Sequence, residues 1–115
     1  MGLEHLEQKA LVAKLRANNI FVAAFVNGFN LQGKPNAQKY AEINKLKAEG
    51  LLKGMPDLYV RLPNHTILVE MKQKGGVLSK EQVDIHKQLI ESGEDVQTFY
   101  CAKDAWEYIQ QFIEE

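Results

Sequence analysis

An α/β domain, built on a mixed β-sheet flanked by helices in the order α-β-α-β-β-α-β-α, is the fold class this sequence predicts. Three observations carry it. Four stretches place apolar residues at helical spacing, and four runs rich in β-branched and aromatic residues lie between or after them. Asn, Gly and Pro mark most of the junctions. With 115 residues and 45% hydrophobic content, the chain has material for one modest core, so residues 1–115 read as a single domain.

Leu3, Leu6, Ala10 and Ala13, with Leu11 and Leu15 alongside, predict an amphipathic helix over 3–17 that ends at Asn18-Asn19. The run from Ile20 to Val26, bounded by Asn27-Gly28, predicts a buried strand. Residues 27–35, with Gly28, Gly33 and Pro35, read as a loop. A helix over 36–49 follows, with Tyr40, Ile43, Leu46 and Lys47 on or near one face and Gly50 as its C-terminal cap. Gly54 to Leu62 and His65 to Lys72 form the arms of a β-hairpin that turns at Pro63-Asn64. Gly75-Gly76 frees the backbone, and Ser79 with Gln82 has the form of a capping box for a helix from Lys80 to about Ser92, stopped by Gly93. Val96 to Cys101 is a further strand. Asp104 with Glu107 marks the start of a last helix containing Ala105, Trp106, Ile109, Phe112 and Ile113, with Trp106 packed in the core.

No stretch approaches the roughly 20 apolar residues that span a bilayer, and the N-terminus lacks a basic region followed by an apolar one, so a soluble, cytoplasmic protein is expected. Leu6 stands where a myristoylation signal needs Ser or Thr, which sets that reading aside. The single cysteine, Cys101, excludes an internal disulfide and a multi-cysteine zinc site, and its apolar run suggests a buried thiol. His5, His65 and His86 lack metal-site spacing and read as surface or boundary residues. A formal net charge of −1 conceals an uneven distribution. From Lys34 to Lys80 the chain carries nine Lys or Arg against four Asp or Glu, whereas residues 81–115 carry two basic and nine acidic ones. A basic middle suits a polyanion such as DNA.

The hairpin carries the chemistry. Strand side chains alternate between faces, so Glu70 and Lys72 share one face while Ile67, Val69 and Met71 occupy the other. If Pro63 and Asn64 alone form the turn, Leu62 pairs with His65 and Asp57 lies opposite Glu70; a longer loop shifts that register by a residue or two. Opposed residues have Cβ atoms ~4.5–5.5 Å apart, and like charges facing each other destabilise a sheet unless something neutralises them. Two converging carboxylates therefore ask for a cation. Asp57, Glu70 and the backbone carbonyl of Met71 offer oxygens to Mg²⁺, with water and substrate completing the set. Lys72 either holds or deprotonates an attacking water, or neutralises charge on the pentacoordinate phosphorus. Tyr59 and Arg61 share a strand face with Asp57 and are further candidates for substrate contact.

Pro56-Asp57 followed by Glu70-x-Lys72 resembles the signature of the PD-(D/E)XK nucleases. More of the chain joins it: Lys47-Ala48-Glu49-Gly50, Gly54-Met55-Pro56-Asp57-Leu58, Val69-Glu70-Met71-Lys72, Gly76-Val77-Leu78-Ser79 and Glu81-Gln82 look like the virus-type replication-repair nuclease (VRR-NUC) domain. With Gln8 and Asn27-Gly28 the resemblance spans nearly the whole chain. It implies a restriction-endonuclease-like fold, Mg²⁺- or Mn²⁺-dependent DNA cleavage, and a stand-alone, phage-type homodimer acting on branched DNA such as Holliday junctions. It also implies a metal-associated glutamate in the first helix. Glu4 lies one turn before Gln8 on the same face and is preferred to Glu7, which points elsewhere. Gln82 has two readings, a residue near the active site and a helix cap. Asn27 contacts a phosphate or turns the chain, and Lys74, Gly75 and Gly76 admit the DNA backbone or form a connection. A non-catalytic DNA-binding or assembly module that retains the fold is the alternative function; RNA as substrate finds no aromatic platform here.

Overall fold

The computed structural model describes residues 3–25 and 36–113. Its elements are α1 (Leu3–Ala17), β1 (Phe21–Ala24), α2 (Asn36–Ala48), β2 (Leu58–Leu62), β3 (His65–Met71), α3 (Lys80–Glu91), β4 (Asp95–Phe99) and α4 (Ala102–Gln110), the order read from the sequence. The loop expected over 27–35, Asn27 included, lies outside the described residues.

One sheet runs β1-β2-β3-β4, with β1, β2 and β3 antiparallel and β4 parallel to β3. A parallel pair needs a crossover, which α3 provides. Leu62 faces His65 and Leu58 faces Val69, so the hairpin takes the shorter register. Pro63 holds φ negative, and Asn19 is the one non-glycine with positive φ among the described residues, so the turn forms without primed geometry. Leu58, Val60, Leu62, Ile67, Val69 and Met71 project from one sheet face onto Leu11 and Leu15 of α1 and Ala105 and Ile109 of α4, and this is the core. Each such side chain contributes about 1.5–3 kcal/mol when fully buried. Alternation sends Leu68, Glu70, Val96 and Thr98 to the opposite face, where α3 covers the β3–β4 half.

Asn19, Gly50 and Gly93 end α1, α2 and α3 in left-handed backbone, with Ile20, Leu51 and Glu94 N–H groups donating back to Leu15, Leu46 and Leu89 carbonyls. The predicted stops are therefore the observed ones. Other expectations need correction. The segment read as a buried strand is an edge strand whose Phe21 is 61% exposed, because it pairs with β2 alone and turns only its Val22 side to the core. An apolar β-branched run has the same composition in either position. No residue of α2 is buried, and Tyr40 of its expected apolar stripe is exposed. Helix α4 begins at Ala102, with Cys101 as an N-cap that makes no side-chain bond, so Asp104 and Glu107 do not open it. Cys101 is half-buried, not buried. Trp106 packs against the core from its edge. Among the described residues no helix is long and apolar enough to cross a membrane.

Candidate active site

Asp57 occupies the bend before β2, one step beyond the Leu58–Val69 pair, which brings it beside Glu70. Its Oδ2 accepts a 2.8 Å hydrogen bond from the Met71 N–H, so the carboxylate takes a backbone donor at the end of the ladder and is held at the strand junction. Glu70 is 2% exposed. Burial, then the contact with Asp57 as hydrogen-bond partner and as like charge, pushes its carboxyl up to about 9; Glu4 adds to the rise and Lys72 opposes it. Both acidic groups and Lys72 line a polar cleft of about 140 Å³, together with Glu4, His5, Gln8, Met71 and Gln82. A larger groove of about 330 Å³ beside Trp106 is lined by Ala10, Lys14, Ala102 and Lys103 and contains no carboxylate.

The helices complete the cleft. Glu4 Oε2 accepts from the Gln73 N–H at 3.3 Å, tying the first turn of α1 to the exit of β3. Glu7 faces away and accepts from the Ala102 N–H at 2.9 Å, so it is the missing cap of α4. The Gln82 side chain makes the capping contact and also reaches Glu70: its Oε1 accepts from the Ser79 N–H at 2.9 Å and its Nε2 donates to Glu70 Oε2 at 3.4 Å, while its backbone N–H donates to Ser79 Oγ at 3.2 Å. Gly54 sets the height of α3. It has φ +103°, and a Cβ there would lie 2.6 Å from the Glu81 carbonyl oxygen, so the segment leading to Asp57 passes directly against the helix start.

Lys74 and Gly75 sit in an exposed turn closed by the Gly76 N–H donating to the Gln73 carbonyl at 2.8 Å, and Gly75 has φ +82°. Arg61 donates to Thr66 Oγ1 across the hairpin, and Tyr59 meets Phe21 edge-on at 6.0 Å. One histidine, His86, departs from the expected surface or boundary position, while His65 occupies a boundary position as expected. His86 is 5% exposed and lies behind Glu70, with Nε2 3.5 Å from Oε1; burial, ahead of other influences, holds its imidazole below the ordinary value. His65 bonds Asp95 at 2.7 Å and stacks on Phe112. The sequence did hold a signal for His86: four residues after Gln82, it shares a helical face with it.

Whether a metal fits can be judged from the donors. Among the described residues Glu70 Oε1 is buried without a hydrogen-bond partner, and the cleft also holds the carboxylates of Asp57 and Glu4 beside Gln8, Gln82, His5 and Lys72. The carboxylates suit a hard divalent cation that keeps several waters. Among the described residues no three His, Cys, Asp or Glu side chains gather as a ready-made cage.

A mixed sheet that brings an Asp at the mouth of one hairpin arm against Glu-x-Lys on the other defines a nuclease domain of the PD-(D/E)XK class. Within that class, the family model of the VRR-NUC domain matches residues 4–103, and the chain belongs to that family. One solved structure described as a VRR-NUC domain is similar with TM-score 0.65 and 21% identity, over 95% of this chain and 96% of that one. A second, described as a VRR-NUC domain protein, has TM-score 0.65 and 20% identity over 96% and 88%. No match is found among curated proteins.

Proposed function

We propose that this nuclease domain is a divalent-metal-dependent DNA endonuclease, using Mg²⁺ or Mn²⁺ and selective for branched DNA such as four-way junctions. The observation that carries the reading is the meeting of Asp57 and Glu70 beside Lys72 in one polar cleft. Asp57, Glu70, Glu4 and the Met71 carbonyl would hold the cation. When bound, such an ion neutralises phosphate charge and lowers the pKa of water. Lys72 sets an ammonium beside Glu70, where it hydrogen-bonds the attacking water or the phosphate oxygens as charge develops. Gln82 orients Glu70 while anchoring α3. Lys74, on an exposed turn with Gly75 and Gly76, is placed to meet a DNA backbone; Asn27 is the remaining substrate-binding candidate.

Incubation with linear, flap, fork and four-way DNA, with and without Mg²⁺ or Mn²⁺, tests the reading. Cleavage should require the metal and favour the junction. Glu70→Ala and Lys72→Ala should each lower it by about 10²-fold or more while the protein still folds and binds DNA; metal-dependent cleavage surviving in both variants removes the assignment. Symmetric cutting of a four-way junction needs two active sites, so we also propose a two-fold homodimer. The uncovered apolar side chains of β1 and α2 supply surface for it. Sedimentation showing only monomer at assay concentration would end the dimer proposal and leave the nuclease intact.

A further inference from the structure

A single helix faces both carboxylate oxygens of Glu70. Gln82 and His86 stand four residues apart on α3, one above the other on the same face. Gln82 Nε2 lies 3.4 Å from Glu70 Oε2, and His86 Nε2 lies 3.5 Å from Oε1. His86 Nε2 and Glu70 Oε1 are both closed to solvent, and among the described residues neither has a hydrogen-bond partner. The large majority of buried polar side-chain atoms in folded proteins are paired. A shift of a few tenths of an ångström brings this pair within normal hydrogen-bond length. The imidazole lines a different groove, with Val83, Ile90 and Val96, and not the carboxylate cleft, so it reaches Glu70 from the rear.

We infer that His86 is a positioning residue, whose Nε2–H donates to Glu70 Oε1 and, paired with Gln82 on Oε2, fixes the carboxylate for cation binding. The inference rests on the metal-dependent reading above. Each carboxylate oxygen has two lone-pair sites, so one donor apiece from α3 leaves the others directed to the cleft. A ligating carboxylate held in this way binds metal more tightly, and loss of such an outer partner typically costs 10–100-fold in affinity.

Two measurements test it. In the intact protein at neutral pH, with and without Mg²⁺, long-range ¹H–¹⁵N spectra should show His86 as the Nε2–H tautomer, with a signal that shifts in Glu70→Leu. The Nδ1–H tautomer in both conditions overturns the inference. Titration with Mn²⁺ alone should show His86→Leu folded but weakened about 10–100-fold in affinity, and His86→Gln, whose amide nitrogen reaches close to the Nε2 position, within a few-fold of wild type. Wild-type affinity in His86→Leu, or equal loss in both variants, overturns it, since the ring then only fills space. A wild-type protein that binds no Mn²⁺ removes the metal reading instead, and the tautomer with its response at Glu70 then decides whether His86 holds the carboxylate.

Discussion

Glu70 pits stability against chemistry within one side chain. Its carboxyl is raised from 4.5 to about 9 by burial and by Asp57, so the folded protein retains a proton that the unfolded chain has released. The contribution of this group to stability is fully present below pH 4.5 and is lost as the pH rises through about 9. Metal-free protein should lose stability across that window, and a bound cation should restore it. Glu70→Gln, neutral at every pH, should stabilise the metal-free protein by roughly 1–3 kcal/mol at pH 8 while abolishing the metal response. Urea unfolding in chelator from pH 5 to 9 reads the effect; a variant no more stable than wild type at pH 8 contradicts it. The Asp57–Glu70 opposition was legible in the sequence as the outcome of a two-residue turn, and the structure takes that register in place of the longer loop. The burial of His86 was not, since its surroundings come from β3 and β4.

Between elements, the cleft is held by contacts that no local pattern announces. Gly54 passes so close to the Glu81 backbone that any side chain forces the first turn of α3 outward, carrying Gln82 away from Glu70. Gly54→Ala should destabilise the protein by roughly 2 kcal/mol or more and weaken Mn²⁺ binding together with it; a variant with wild-type stability would show that the approach is loose. Glu4 and Glu7, three residues apart, serve different elements. Glu7→Ala removes the cap of α4 and should cost about 0.5–2 kcal/mol with metal affinity unchanged, whereas Glu4→Ala should lower metal affinity with a smaller loss of stability. Denaturation and Mn²⁺ titration of the two variants would exchange these outcomes if the assignment were reversed. Helix spacing could separate the two faces, but that Glu7 caps a helix 95 residues later is a tertiary fact. It also explains why Asp104 and Glu107 misled: the helix starts earlier because its cap comes from α1.

Across the molecule, pH stability is bracketed by a second polar cluster at the other end of β3 and β4. Asp95 accepts from Tyr108 and Gln97 and bonds His65, each at 2.7 Å, joining the hairpin, β4 and α4. Burial works to raise Asp95, but the bonds from Gln97, His65 and Tyr108 outweigh it and hold the carboxyl below 3.8. Its contribution is present above 3.8 and lost as the pH falls through the lower folded value. Tyr108 is pushed up to about 12 by burial and then by Asp95, so its contribution is present below 10 and lost as the pH rises through about 12. Asp95→Asn should flatten the acid limb of a stability–pH curve and Tyr108→Phe the limb above pH 10; unchanged limbs would show the cluster to be energetically idle. The molecule is extended, with a radius of gyration of 15.5 Å where about 13 Å is usual for this length. Helix α2 has no buried residue, and Tyr40 of the apolar stripe read from its sequence is exposed.

The sequence by itself determined the element order, the helix stops and the shared strand face of Glu70 and Lys72, because each follows from a short-range period or a residue with restricted backbone. The structure chose the shorter of the hairpin registers the sequence left open, which sets Asp57 beside Glu70. The fold alone decided that β1 lies at the sheet edge, that Glu7 caps α4 while Glu4 faces the cleft, and that His86 lies buried against Glu70. Those outcomes depend on which elements meet, and burial is a property of the neighbours a residue acquires, not of its own chemistry.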